Sequence, residues 1–297
     1  MLAAACACLQ AKEVKVLTIG NSFAQSLGRY LPKVVGSVEG CSIKLEFANF
    51  GGCTFQRHWQ YICEEERGDK IHYGKGKQTL KSILQNTKWD FVTIQQASPL
   101  SWKGESFFPE SKHIADFVAK NAPGATILLQ QTWSYRCDSK MLKSWKISQK
   151  QMFENIRKNY EDASAKLGLA VIPSGYAVEL YRATISEKFA PPTKEEIAKY
   201  KSPETPSSKG DIVGKYSWLK KKNGEKYLYI DSIHLNKDGE YLQACVWFAY
   251  LFDIPAADIK FKPKYMDEQT AKKMRQIADQ AVREYKKSAP KKQKSAQ

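Results

Sequence analysis

The sequence predicts an α/β fold: a five-stranded parallel sheet covered by helices on both faces. Three observations carry this. Short, continuous apolar runs rich in β-branched residues recur along the chain. Helix-like stretches separate them. Several strands are introduced by a tight turn carrying Gly, Pro or Asn. The expected strands are Val14–Ile19, Ile43–Phe47, Phe91–Ile94, Thr126–Leu129 and Leu169–Ile172. The intervening stretches, Ala24–Val38, Thr79–Gln85, Lys112–Ala119 and Lys150–Lys166, read as helices. In the last of these, Met152, Ile156, Tyr160 and Ala163 recur at three- and four-residue spacing, which lines one helical face with apolar groups. Turns such as Asn121-Ala122-Pro123-Gly124 punctuate the alternation.

The alternation then breaks. Residues 181–212 are rich in Pro, Lys, Glu and Ser and read as an excursion with one short helix, Lys194–Tyr200. A hairpin follows: Tyr216–Leu219 and Tyr227–Ile230 flank Asn223-Gly224, a pair suited to a type I′ turn. Helix signals resume at Gly239–Phe252 and Asp267–Lys286. The chain of 297 residues is long enough for one large core. The expected organisation is one domain over residues 12–286 with an insertion at about 181–229, and a disordered basic tail over 287–297.

The first eleven residues, MLAAACACLQA, are small and apolar and give way to Lys12-Glu13. They read as the end of a secretory signal peptide, which places the protein outside the cytoplasm or in the periplasm, with a lipoprotein anchor at Cys6 or Cys8 as a variant of the same reading. No apolar run is long enough to span a bilayer. Export permits disulfides. Cys41, Cys53, Cys63, Cys137 and Cys245 are dispersed and odd in number, which argues against structural zinc; a bridge among the first three and buried free thiols both stay open.

The net charge of +16 is spread along the chain, with Lys286, Lys287, Lys291, Lys292 and Lys294 near its end. No compact basic stripe interleaved with aromatics occurs, so nucleic acid is not an expected partner. Attraction to an acidic polysaccharide or an anionic envelope surface is a softer use of the same charge.

In an open parallel sheet the ligand site lies beyond the carboxyl ends of the strands. After the first strand comes Gly20-Asn21-Ser22, then a helix. A serine on such a turn exposes its hydroxyl, although serine at this position is also a common helix N-cap. Near the other end of the chain, Asp231-Ser232-Ile233-His234 follows the hairpin. A serine hydroxyl needs a base, imidazole serves near neutral pH, and a carboxylate three residues away can orient it. Of four histidines, His58, His72, His113 and His234, only His234 has a carboxylate at this spacing in a loop with both glycine and asparagine around it.

Together, Gly20-Asn21-Ser22 and Asp231-x-x-His234 resemble the first and last blocks of the SGNH hydrolase superfamily, the GDSL-like lipases and esterases, in a divergent bacterial branch. The resemblance implies a flavodoxin-like three-layer α/β/α sandwich with a five-stranded parallel sheet, here with a β-hairpin inserted before the last block. It implies a serine esterase with nucleophile Ser22, base His234 and orienting Asp231, working without metal or organic cofactor. It further implies an oxyanion hole. The Ser22 N–H and a glycine after the second strand, Gly52 with Gly51 close behind, would donate. A side-chain amide after the third strand would complete the hole; the sequence there is Gln95-Gln96 in place of the family's Gly-x-Asn-Asp, so Gln96, or alternatively Gln95, is expected to serve. On the same rim Gln95, Gln131, Trp133 and Tyr135 are expected to bind substrate, as an aromatic and amide platform for a sugar ring, with Trp102 nearby. The expected substrate is a small-molecule or polysaccharide ester, preferably an O-acyl group on a carbohydrate. A non-catalytic carbohydrate-binding protein on the same fold is the alternative.

Overall fold

The structure is a computed structural model and describes residues 12–288. Five parallel strands form one sheet: β1 (Lys12–Gly20), β2 (Cys41–Asn49), β3 (Phe91–Ile94), β4 (Thr126–Gln130) and β5 (Ala170–Ile172). Their spatial order is β2-β1-β3-β4-β5, the flavodoxin-like order, with its switch point between β1 and β3. The register sets Asn49, Gly20, Gln95 and Gln130 side by side at or just past the strand ends. The five expected strands are all present, with β1 and β2 longer at both ends.

The expected helix over Ala24–Val38 is instead three short pieces: α1 (Ser22–Gln25), a 3₁₀ turn (Ser26–Arg29) and a turn over Leu31–Val35. Pro32 lacks an N–H and so starts a helical turn more readily than it continues one, and Gly28 disfavours continuity. A helix not expected from sequence, α2 (Phe55–Arg67), starts at the Thr54 cap and packs against α3 (Glu110–Asn121). Helix α4 (Gln149–Leu167) opens on a capping box of Ser148 and Gln151. Helices α5 (Ser174–Thr184), α6 (Lys237–Phe252) and α7 (Glu268–Ser288) pack against one another, and α6 and α7 against β5. Helix α6 is buried almost all round, and its Trp247, Phe248 and Leu251 join the core that includes Leu17 and Ile19 of β1. Among the described residues no helix is long and apolar enough to cross a membrane.

The hairpin forms a separate two-stranded sheet, β6 (Val213–Lys220) and β7 (Lys226–Leu235). Its turn differs from the expected type I′. Lys221 N–H donates to Glu225 O and, of the turn residues, only Gly224 has positive φ, so the connection is a three-residue turn with its glycine in the left-handed region. Of the two readings left open for the cysteines, the structure has free thiols: Cys41, Cys53, Cys63, Cys137 and Cys245 are unbridged among the described residues. Helix α7 runs through Ser288, so the first two residues of the expected tail are helical; the rest of it, like the signal-peptide stretch with Cys6 and Cys8, lies outside the described residues.

Candidate active site

The site starts at the end of β1. Asn21, not Ser22, is the N-cap of α1: its Oδ1 accepts from Phe23 N–H at 3.2 Å. Its Nδ2 donates to Cys53 O (3.2 Å) and to Gln96 O (3.3 Å). This buried amide therefore ties the turn after β1 to the loops after β2 and β3. Both donor bonds need an amide; a carboxylate could make neither. Capping by Asn21 leaves the Ser22 hydroxyl free for another partner.

That partner is His234. Ser22 Oγ lies 2.9 Å from His234 Nε2, and His234 Nδ1 lies 3.0 Å from Asp231 Oδ2. With Nδ1 donating to the carboxylate, Nε2 is an acceptor for the serine proton. Asp231 Oδ1 accepts from Ile233 N–H and His234 N–H, both at 3.0 Å. Burial alone would raise the Asp231 pKa, but the His234 side chain and these two N–H groups outweigh it and hold the carboxyl at about 2.

Asp231 and His234 lie inside β7, not in a loop after it. In a regular strand, residues three apart face opposite sides. Here Lys215 pairs with Asp231 and Val213 with Leu235, so β7 carries two extra residues at an irregularity opposite Gly214. The bulge brings the two side chains together. Gly214 has φ +92°, and a Cβ there would meet Arg136 Nη1 at 2.7 Å and Asp231 O at 2.8 Å.

The segment after β4 holds this bulge in place. Trp133 Nε1 donates to Ile233 O at 2.9 Å, and Arg136 N–H donates to Ser232 O at 2.9 Å. The Trp133 ring stacks on Phe23 (centroids 4.0 Å apart, 5° between planes), and Phe23 meets the His234 ring edge-on at 5.5 Å. Trp133 thus touches both halves of the site from below. The Arg136 guanidinium is fully buried, paired with Asp138 and set between the Phe189 and Tyr216 rings.

Four expected substrate contacts are therefore corrected. Trp133 and Tyr135 are fully buried; the Tyr135 hydroxyl bonds Ser98 Oγ at 2.8 Å. Gln131 is buried, with Nε2 on Tyr285 Oη and Oε1 accepting from Tyr176 N–H. Gln95 is buried against Gly20. None of the four is accessible to a sugar ring. Trp102 is half-buried against Trp145. The oxyanion role of Gln96 is corrected too. Its Nε2 donates to Ser106 O and Ser106 Oγ, and its Oε1 accepts from Phe55 N–H and Ala97 N–H. Both amide hydrogens are used, and the side chain braces the start of α2. Gly52 is exposed with φ +62°, in a turn closed by Cys53 N–H on Phe50 O, a bond that does not use the Gly52 N–H.

Sequence reasoning missed His58. It is fully buried, donates from Nε2 to Gly20 O at 2.9 Å and accepts at Nδ1 from Tyr73 Oη at 3.0 Å. Burial pushes its pKa down to about 4, against the opposing pull of the Gly20 carbonyl. It is a neutral prop behind the Ser22 turn. Its position on the buried face of an amphipathic helix would have been the signal, had α2 been recognised. Among the described residues, no three His, Cys, Asp or Glu side chains gather as a metal-holding group.

The family model described as a domain of unknown function (DUF4886) matches residues 15–190. No curated protein matches the chain. Among solved structures, the chain is similar to a DUF4886 family protein from Bacteroides uniformis ATCC 8492, at 25% identity and TM-score 0.69, over 91% of this chain and 95% of that one. Weaker likenesses include a candidate SGNH hydrolase from Slackia heliotrinireducens (18% identity, TM-score 0.47, 78% and 96% covered). Another is the lipase/acylhydrolase from Enterococcus faecalis (12% identity, TM-score 0.43, 84% and 99% covered).

Proposed function

The chain belongs to the DUF4886 family, and from that premise we propose that it is a serine hydrolase that cleaves carboxylic esters through an acyl-enzyme on Ser22. The observation that carries this reading is the unbroken relay from Ser22 Oγ to His234 Nε2 (2.9 Å) and from His234 Nδ1 to Asp231 (3.0 Å). A serine that only capped a helix, or a turn that only held an anion, would have no use for the imidazole. In the first step Ser22 Oγ attacks the ester carbonyl while His234 Nε2 takes its proton. Asp231, ionised down to about pH 2, stabilises the imidazolium and keeps the tautomer. The oxyanion is held by the Ser22 and Gly52 N–H groups, a hole without the side-chain amide expected at Gln96. His234 then returns the proton to the departing alcohol. Water, deprotonated by His234, hydrolyses the acyl-serine and restores the hydroxyl.

Hydrolysis of p-nitrophenyl acetate tests this. Ser22→Ala and Asp231→Asn should each lower kcat by about 10⁴-fold, the first by removing the nucleophile and the second by releasing the tautomer. Undiminished hydrolysis by Ser22→Ala would exclude the mechanism. We extend the proposal to an exported protein acting on an acylated carbohydrate, as the small, apolar N-terminal stretch and the charge of +16 favour.

A further inference from the structure

Ser22 sits on a helix too short to hold itself. Helix α1 is a single turn, Ser22–Gln25, and one turn fixes several dihedrals for few hydrogen bonds. The place of the Ser22 hydroxyl is therefore set by what grips the turn from outside. The next residue, Phe23, carries those grips. Its carbonyl oxygen accepts from Gln243 Nε2 at 3.0 Å, and Gln130 Nε2 reaches it at 3.4 Å. Ser26 Oγ lies 2.8 Å from the same oxygen and 2.6 Å from Gln243 Oε1; with one hydroxyl hydrogen it serves one of them at a time. Gln243 is 2% exposed and stands on α6, whose N-cap is Asn236. β7, which bears His234, runs directly into that helix. Gln243 thus ties the turn of the nucleophile to the helix that follows the base.

The Phe23 ring makes a second tie. It is 1% exposed, lies flat on Trp133 and meets His234 edge-on. The second torsion of a histidine side chain has no sharp preference of its own. The hydrogen bond to Asp231 fixes the imidazole at Nδ1 only, and a ring backed by Trp133 gives it a wall that limits its tilt. We propose that Phe23 is a positioning residue that sets the Ser22–His234 separation, with its carbonyl held by Gln243 and its ring held by Trp133. Phe23 and Gln243 are both buried and act through their neighbours, not on the substrate. The kinetic consequence rests on the ester-hydrolase reading; the geometric one does not.

Two variants separate the ring from the carbonyl. Phe23→Leu keeps apolar bulk and removes both ring contacts. Gln243→Met keeps the length of the side chain and donates nothing to Phe23 O. In each, with the fold verified by circular dichroism, kcat for p-nitrophenyl acetate should fall by roughly tenfold or more, while KM stays within about twofold. Nitrogen-15 NMR of the His234 imidazole, at about pH 9 and so above the ordinary histidine range, reads the geometry without turnover. Its Nε2 resonance should move in Gln243→Met from the parent value toward that of Ser22→Ala, in which the bond to Ser22 is gone. Gln243→Met leaves every aromatic ring in place, so altered ring currents cannot mimic that shift. Where Gln243→Met does not fold, Ser26→Ala, a milder change at the same contact, carries both readouts. A parent protein without esterase activity would count against the hydrolase reading, and the Nε2 resonance would still decide the role of Phe23. An Nε2 resonance unmoved from the parent value would overturn the proposal. In an active parent, so would unchanged kcat in either variant, or a raised KM at unchanged kcat.

Discussion

Asn21 and His58 act on the Ser22 turn from two sides. Asn21 caps α1 and pins the loops after β2 and β3; His58 holds the Gly20 carbonyl. An aspartate at position 21 would cap equally well but would face two carbonyl oxygens with a buried charge. That is the physical reason asparagine stands between Gly20 and Ser22. His58 makes a prediction about pH. Its folded pKa of about 4 lies below the ordinary value of 6.5. Between those values the unfolded chain binds a proton that the folded chain refuses. The stability it supports is therefore complete above about pH 6.5 and is lost as pH falls toward 4, by up to about 3 kcal/mol. Asp231 contributes a separate loss at lower pH, between its ordinary value and about 2. Urea unfolding across pH 6.5 to 4 should show a steeper loss of stability in the parent than in His58→Gln, which keeps a donor for Gly20 but does not titrate. Equal slopes would contradict this account of His58.

At the scale of elements, the bulge in β7 is what sets the acid–base pair of the proposed mechanism on one strand. Its two extra residues bring Asp231 and His234 to one side, and the segment Trp133–Arg136 holds the Ser232 and Ile233 carbonyls. Gly214, opposite the bulge, leaves room for it. Gly214→Ala would place a methyl group on Arg136 and on the Asp231 carbonyl at a strained φ, shifting the relay. A shift of about 1 Å lowers turnover by roughly 100-fold, so kcat for an aryl ester should fall by that order while circular dichroism still reports a folded protein. Unchanged kcat would show that the bulge does not set the geometry.

At the scale of the molecule, the sheet was legible because inner parallel strands such as β1, β3 and β4, buried along most of their length, must read as apolar runs. Ser22, Asp231 and His234 were legible because residues of those types stand at strand ends in a workable order. What could not be read depends on contacts distant in sequence. Aromatic residues on the rim side of β4 look the same on paper whether they face solvent or brace a neighbouring strand; Trp133 braces Ile233, a hundred residues later. Gln96 had the right chemistry and position but spends its hydrogens on Ser106. Helix α2 was missed although Thr54 caps it, and with it His58. The claim that joins these scales is that the relay activates Ser22 as a nucleophile. Intact-mass and peptide mass spectrometry after exposure to a fluorophosphonate measures this directly. The account predicts a single adduct on the peptide containing Ser22, lost in His234→Ala; an unmodified protein, or an adduct on another residue, would contradict it.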